Sequence, residues 1–183
     1  MLVNMITRGN SKYAYLAGAI DSDGSISVIK SHLQRKEYRC PRFVLEMTFT
    51  NTSKDLMDWI IKNFAGSYRE RKYREKLSRI GDREINQRRI AYGYKLTAKK
   101  ALPVLKSIEP YLVGKKRQAQ LAIEFQENLF NRDTKTVKAG KGISHYLSEK
   151  EILKRTWYSE TIQKLNKTIL RPAETERGNP YLK

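Results

Sequence analysis

Cysteine and histidine are scarce in this chain. Its 183 residues include one cysteine, Cys40, and two histidines, His32 and His145. One cysteine excludes an intrachain disulfide framework, and the three residues together are too few for an ordinary zinc site of cysteines and histidines. A metal ion bound to this protein must therefore be held by oxygen ligands.

Long apolar runs are also missing. No stretch approaches the ~18 consecutive apolar residues of a membrane span, and residues 1–12 lack the apolar region of a signal peptide. We therefore expect a soluble, intracellular protein with no membrane partner. The sequence does not distinguish a prokaryotic cytoplasm from an organelle.

Acidic residues are few beside the basic ones. There are 37 lysines and arginines against 19 aspartates and glutamates, a formal net charge of +18. Such an excess points to a polyanionic partner, and nucleic acid is the first candidate. With 39% hydrophobic residues, the chain is long enough for a single domain, over 1–183, with its own core.

The first third of the chain alternates between helical and strand periodicity. Ser11 is a candidate N-cap for a helix from about Lys12 that ends at Gly24. Residues 25–32 and 42–50 alternate apolar and polar positions, which predicts two strands with one buried face each. The positions predicted to face inward are Ile26, Val28, Phe43, Leu45, Met47 and Phe49.

A second helix and a long basic hairpin follow. Ser53 is a candidate N-cap for residues 54–64, whose core stripe is predicted to be Leu56, Trp59, Ile60 and Phe64. Residues 67–96 are very basic and alternate, which predicts two strands turning around residues 80–82.

The remaining segments are predicted to be mostly helical. Helices are expected over 100–108, with Pro103 in its first turn, and over 115–129. Residues 130–147 are polar and contain glycines, so we predict a loop. Ser148 and Glu151 form a capping box for a last helix, and residues 171–183 are predicted to be frayed. We expect this helix to brace the sheet; contact with flanking DNA is the alternative.

This order predicts an α+β fold with one four-stranded antiparallel sheet, helices on one face and an additional C-terminal helix. The open face would carry arginines and hydroxyls, and a β-ribbon fits the DNA major groove. Strands of about nine residues span roughly 30 Å. A solvated basic face is the alternative for such a charge run. The predicted DNA-contacting residues are Ser25, Ser27, Ile29, Ser31, Glu46, Thr48, Thr50, Ser67, Arg69, Arg71, Tyr73, Gln87, Arg89 and Lys95.

One segment carries a family resemblance. Residues 16–24, LAGAIDSDG, match seven of nine positions of the motif that names the LAGLIDADG homing endonucleases, with Ala19 and Ser22 as the exceptions. The resemblance extends from about Tyr13 to Leu129 and implies the α-β-β-α-β-β-α fold of that family. Asp-x-Asp-Gly alone is more often a turn, but here it follows Leu-Ala-Gly and precedes an alternating strand.

The resemblance also implies a homodimer, because the motif occurs once and no internal repeat is visible. In relatives, the motif helices of two domains pack together through small residues. Each subunit would then contact half of a roughly palindromic site. The residues this implies for the dimer interface are Tyr13, Leu16, Ala17, Gly18 and Asp21.

Hydrolysis of both DNA strands with a divalent metal is the implied activity. Asp23 of each subunit and the carbonyl of Ser22 would hold Mg²⁺, or another divalent cation such as Mn²⁺, together with phosphate oxygens. The negative end of the helix dipole attracts such a cation. Asp21 is assigned to helix termination and local hydrogen bonding.

Basic groups near the metal are implied by the same comparison. Lys115 matches a pocket lysine of single-motif relatives, where it would balance phosphate charge or order water. Ser53 and Met57 stand where relatives carry a glutamine and a basic residue. These departures imply either that Lys54 substitutes in the catalytic pocket, beside Ser53, or that the water network there differs.

Two other functions remain open at this stage. Some proteins of the family bind intron RNA as maturases, and basic charge serves RNA equally well. The fold could also serve a noncatalytic DNA-binding regulator. Retention of Asp23 favours the nuclease, because a pure DNA-binding protein has no need of a carboxylate directed at phosphate.

Overall fold

The computed structural model describes residues 3–31, 41–71, 78–80, 83–85, 90–129, 134–139 and 142–167. Its helices are α1 (Val3–Asp23), α2 (Lys54–Phe64), α3 (Ala98–Ile108), α4 (Lys116–Asn128) and α5 (Glu149–Lys167), with a 3-10 turn at Glu109–Tyr111. Its strands are β1 (Gly24–Ser31), β2 (Arg42–Asn51), β3 (Ser67–Arg71), β4 (Ser78–Ile80), β5 (Arg83–Ile85), β6 (Ala91–Thr97), β7 (Thr134–Ala139) and β8 (Gly142–Leu147). Among the described helices, none is long and apolar enough to cross a lipid bilayer.

Four strands form the central sheet, in the order β1-β2-β6-β3, and each neighbouring pair is antiparallel. The predicted α+β fold is therefore confirmed. The basic hairpin is confirmed as well, because β3 pairs with β6 and β4 pairs with β5. Ile80 lies opposite Arg83, and the residues between them, 81–82, lie outside the described part of the chain.

The core lies between the inner face of this sheet and the helices. All six strand positions predicted to face inward are buried, and Tyr94 and Leu96 of β6 extend the same layer. In α2, the prediction was wrong for Trp59, which is 36% exposed, while Met57 is fully buried. The buried side of α2 is formed by Met57, Ile60 and Phe64, because these positions follow helical spacing toward the sheet.

Two helices begin earlier than predicted. The first helix starts at Val3, so Ser11 lies inside α1 and is not its N-cap. The third starts at Ala98, directly after β6. Pro103 is therefore the sixth residue of α3 and lies beyond its first turn, where its missing N–H removes one backbone hydrogen bond.

The loop predicted over residues 130–147 is wrong. Strands β7 and β8 pair there, and Ala139 lies opposite Gly142. Residues 130–133 and 140–141 lie outside the described part of the chain. Glycine is favoured in the tight connections of β-hairpins as well as in loops, so it does not by itself predict a loop. Thr134–Ala139 also contains β-branched residues that suit a strand.

The last helix covers the free edge of the sheet. Ser148 Oγ accepts a hydrogen bond from the Glu151 amide at 3.2 Å, as the predicted cap requires. Ser159 Oγ donates to the Val28 carbonyl at 2.6 Å, and Asn166 Nδ2 donates to the Ile26 carbonyl at 2.8 Å. Since β1 is an edge strand, α5 satisfies carbonyls that would otherwise face solvent. These contacts are those that the predicted bracing requires. Residues 168–183 lie outside the described part of the chain.

Candidate active site and nucleic-acid interface

Helix α1 joins strand β1 without an intervening loop. Asp23 is the last residue of the helix and Gly24 is the first residue of the strand. A Cβ atom on Gly24 would lie 2.7 Å from the Ile20 Cα and 2.9 Å from the Ile20 carbonyl oxygen. Glycine is therefore required at position 24, because the backbone of Ile20 lies so close to it. This close approach fixes the junction between α1 and β1, where Asp23 lies.

Asp21 is saturated with hydrogen bonds from one segment of backbone. Its Oδ2 accepts from the amides of Val113 and Gly114 at 2.7 and 3.2 Å, and its Oδ1 accepts from the amide of Lys115 at 2.8 Å. This is the local role assigned to Asp21, but its partners lie 92 to 94 residues further along the chain. A carboxylate occupied in this way is poorly available to a metal ion.

The ammonium group of Lys115 lies at the end of α1. Its Nζ donates to the backbone carbonyl of Asp21. A cation at this point neutralises part of the negative end of the helix dipole. The structure thus brings Lys115 and the motif helix together, as the resemblance implied.

Asp23 has a different environment from Asp21. It is exposed, and no hydrogen bond or ion pair to its carboxylate occurs among the residues the structure describes. The described residues also contain no group of three or more histidine, cysteine, aspartate or glutamate side chains able to hold a metal. Among the described residues at the end of α1, Asp23 supplies one free carboxylate. This suits Mg²⁺, since the ion takes one or two protein carboxylates and completes its shell with water and phosphate.

A groove runs along the exposed side of α1 to Asp23. Its volume is about 360 Å³. It is lined by Ala14, Tyr15, Gly18, Ala19, Ser22, Asp23, Phe49, Asn51 and Leu56. A Cβ atom on Gly18 would meet nothing within 4 Å, so this side of the helix is open to a close-packing partner.

The implied dimer interface needs correction at two residues. Leu16 and Ala17 are 0% exposed and belong to the core of their own chain, so they cannot contact a partner. Tyr13 packs against Phe64, with ring centroids 5.7 Å apart. Among residues 11–23 of α1, the exposed ones are Ser11, Ala14, Tyr15, Gly18, Ser22 and Asp23. Helical spacing was the signal that could have separated the two sides.

Ser53 and Lys54 have structural partners and make no described contact with Asp23. Ser53 Oγ accepts from the Leu56 amide at 3.2 Å and caps α2. Lys54 Nζ donates to Asp58 at 2.6 Å, and this hydrogen bond raises the pKa of the Lys54 ammonium and lowers the pKa of Asp58. Met57 lies in the core, so that position offers no basic group.

The predicted DNA-contacting positions share the sheet face opposite the core. The register pairs Ser25 with Thr48 and Ser27 with Glu46 across β1 and β2, and it pairs Lys95 with Ser67 across β3 and β6. The positions placed on this outer face are Ser25, Ser27, Ile29, Ser31, Glu46, Thr48, Thr50, Ser67, Arg69, Arg71 and Lys95. Tyr73, Gln87 and Arg89 lie outside the described residues.

The outer face is rich in hydroxyl groups and carries one internal ion pair. Lys95 Nζ contacts Glu46 Oε2, so these two predicted contact residues neutralise each other in the free protein. Val44, which the alternation of residues 42–50 places on the same side as Glu46, also lies on this face, opposite Ile29. It is not among the predicted DNA-contacting residues.

Comparison with known proteins identifies the fold. No family model and no curated protein matches the sequence. Among solved structures, the homing endonuclease I-CvuI in complex with its target matches with a TM-score of 0.63 and 18% identity over 91% of this chain and 87% of that chain. The archaeal intron-encoded homing endonuclease I-Vdi141I, complexed with DNA, matches with a TM-score of 0.60 and 16% identity over 90% of this chain and 89% of that chain.

A third structure matches over a different share of its length. The LAGLIDADG meganuclease I-CpaMI, bound to uncleaved DNA, has a TM-score of 0.56 and 15% identity, covering 92% of this chain but 51% of that chain. At these identities the likeness concerns the fold. The chain has the fold of the LAGLIDADG homing endonucleases.

Proposed function

We propose that this protein is a site-specific, intron-encoded DNA endonuclease. As a homodimer it would hydrolyse phosphodiesters on both strands of a long, pseudo-palindromic site, using a divalent cation. The observation that carries this proposal is the contrast at the end of α1. Asp21 is fully occupied by backbone amides, whereas Asp23, two residues later, presents an exposed carboxylate without a partner among the described residues.

Pairing of two chains along α1 is supported by the exposed side of that helix. Gly18 offers open space and Ala14 and Ser22 are small, which allows two helices to approach closely. A twofold axis there would bring two Asp23 carboxylates together. This chain matches 51% of the length of I-CpaMI. A chain that corresponds to half of a longer protein also supports the pairing of two copies.

Binding of double-stranded DNA is assigned to the outer face of the sheet. Strand β2, with 10 residues, spans roughly 33 Å, and the face carries hydroxyls and the Arg69 position. Arginine can read guanine edges and hydroxyls can contact bases or phosphates. Phosphate neutralisation would supply much of the affinity, so binding should fall steeply as salt rises.

The residues at the end of α1 suit metal-assisted hydrolysis. Asp23 and the Ser22 carbonyl would hold Mg²⁺ or Mn²⁺ with phosphate oxygens, and the cation would supply positive charge at the scissile phosphate and activate water. Lys115 places a further positive charge at the same helix end. This charge offsets the repulsion between two carboxylates and a phosphate.

Asp23→Asn tests the proposal. We expect the wild-type protein to cleave members of a random duplex library with Mg²⁺, and the variant to bind the selected duplex while cutting it at least about 100-fold more slowly. Asp55→Asn, an exposed acid on α2, is the matched control and should cut normally. Cleavage by Asp23→Asn at the wild-type rate would remove the role assigned to this residue. Splicing of intron RNA without DNA cleavage would favour the maturase instead.

A further inference from the structure

The first acid of the motif is held by a segment that also carries a lysine of the proposed site. We propose that Asp21 is a positioning residue, which acts on cleavage through Lys115. Its carboxylate fixes residues 113–115, and this keeps the Lys115 ammonium on the Asp21 carbonyl at the end of α1. The inference rests on the proposed nuclease function, since that function gives Lys115 its role.

Three consecutive amides converge on one carboxylate. The donors are Val113, Gly114 and Lys115, at 2.7, 3.2 and 2.8 Å from the two oxygens of Asp21. Hydrogen bonds to an ionised acceptor are about twice as strong as neutral ones. The contacts therefore fix the orientation of three successive peptide groups.

Both the backbone and the side chain of Lys115 are hydrogen-bonded to Asp21. The Lys115 amide donates to Asp21 Oδ1, and its Nζ donates to the Asp21 backbone carbonyl. A free lysine side chain samples many rotamers, and ordering it costs up to ~2 kcal/mol of side-chain entropy. By fixing the backbone of Lys115, Asp21 sets the point from which the ammonium reaches the helix end.

Apolar burial does not explain the conformation of this segment. Val113 is 90% exposed, and Gly114 is exposed as well. Leu112, which precedes residues 113–115, is buried, and α4 begins directly after them at Lys116. Between these two anchors the Asp21 carboxylate is the group that holds residues 113–115 against α1.

A double-mutant cycle tests the coupling. Asp21→Asn keeps the size of the side chain but removes its charge, and Lys115→Met removes the ammonium. We expect each single variant to cleave about 10–100-fold more slowly, the range found for residues that orient a catalytic group. The double variant should be no slower than Lys115→Met alone. Losses that multiply would overturn the proposal, because an independent structural role for Asp21 adds to that of Lys115.

Amide hydrogen exchange of the free protein tests the same contacts without DNA. In the wild type, the amides of residues 113–115 should be protected although the segment is exposed. Asp21→Asn should lose this protection and shift the Lys115 side-chain NMR resonances, whereas Asp55→Asn should do neither. Unprotected wild-type amides would overturn the proposal even if Asp21→Asn does not fold. If the wild type cuts no duplex but protection and resonance shifts follow the prediction, the nuclease function fails and the positioning contact stands.

Discussion

Two carboxylates at one helix end have opposite surroundings. The Asp21 carboxylate accepts hydrogen bonds from three backbone amides, while Asp23 lines the groove. The motif resemblance assigned Asp23 to metal and Asp21 to local hydrogen bonding. The partners of Asp21 could not be predicted, because no local pattern links a residue of α1 to amides 92 to 94 positions later.

Gly24 provides a prediction at the residue scale. Gly24→Ala forces a Cβ atom to within 2.7 Å of the Ile20 backbone, so the helix end must move. We expect the free energy of unfolding to fall by about 1–3 kcal/mol, the usual cost of overpacking, as measured by urea denaturation. Gly18→Ala is the matched control: its Cβ meets nothing, and alanine in a helix should add roughly 0.5–1 kcal/mol. Equal stability of Gly24→Ala and the wild type would contradict the close approach.

Helix α5 illustrates what is predictable at the scale of an element. Its start was predictable because Ser148 and Glu151 are a local capping signal. Its docking on β1 was expected only in outline, since the contacts of Ser159 and Asn166 span 131 and 140 residues. Glu151 also differs from a full capping box, because its carboxylate accepts from Arg155 Nε at 2.7 Å. The β7–β8 hairpin is not predicted by the sequence, because glycines and polar residues are typical both of loops and of the connections in β-hairpins.

The seam between α5 and β1 provides the element-scale prediction. Replacing Ser159 and Asn166 with alanine leaves two carbonyls of the edge strand without their side-chain donors. Each hydrogen bond contributes about 1 kcal/mol, so the double variant should lose roughly 2 kcal/mol of unfolding free energy. Hydrogen exchange should also become faster in β1. As a control, Ser107→Ala removes a hydroxyl that bonds only within its own helix. Unchanged stability of the double variant would show that α5 does not brace the edge.

At the scale of the whole molecule, the alternation of Phe43, Leu45, Met47 and Phe49 was enough to predict a sheet with one buried face. The surface along which two chains would meet was harder to predict. Leu16 and Ala17 belong to the motif, yet they are buried in their own core, because helical spacing turns them away from Gly18. A motif specifies a set of residues, whereas tertiary packing decides which of them reach the surface.

Dimerisation provides the molecule-scale prediction. Gly18→Leu fits the free chain, because nothing lies within 4 Å of the added Cβ atom, but it would hold two α1 helices apart. Sedimentation should show monomers, and duplex cleavage should be lost. Urea denaturation should show that the chain still folds. Lys62→Leu, on an exposed part of α2, controls for added apolar surface. A Gly18→Leu protein that still forms dimers and cuts both strands would place the subunit contact elsewhere.

The most direct measurement is a crystal structure of the protein with a selected duplex and Mn²⁺, with the metal located by anomalous scattering. We predict two chains on one duplex, paired along α1, with manganese coordinated by Asp23 carboxylate oxygens of both chains and next to a phosphate of each strand. One chain per duplex, or manganese bound away from Asp23, would contradict the proposed site.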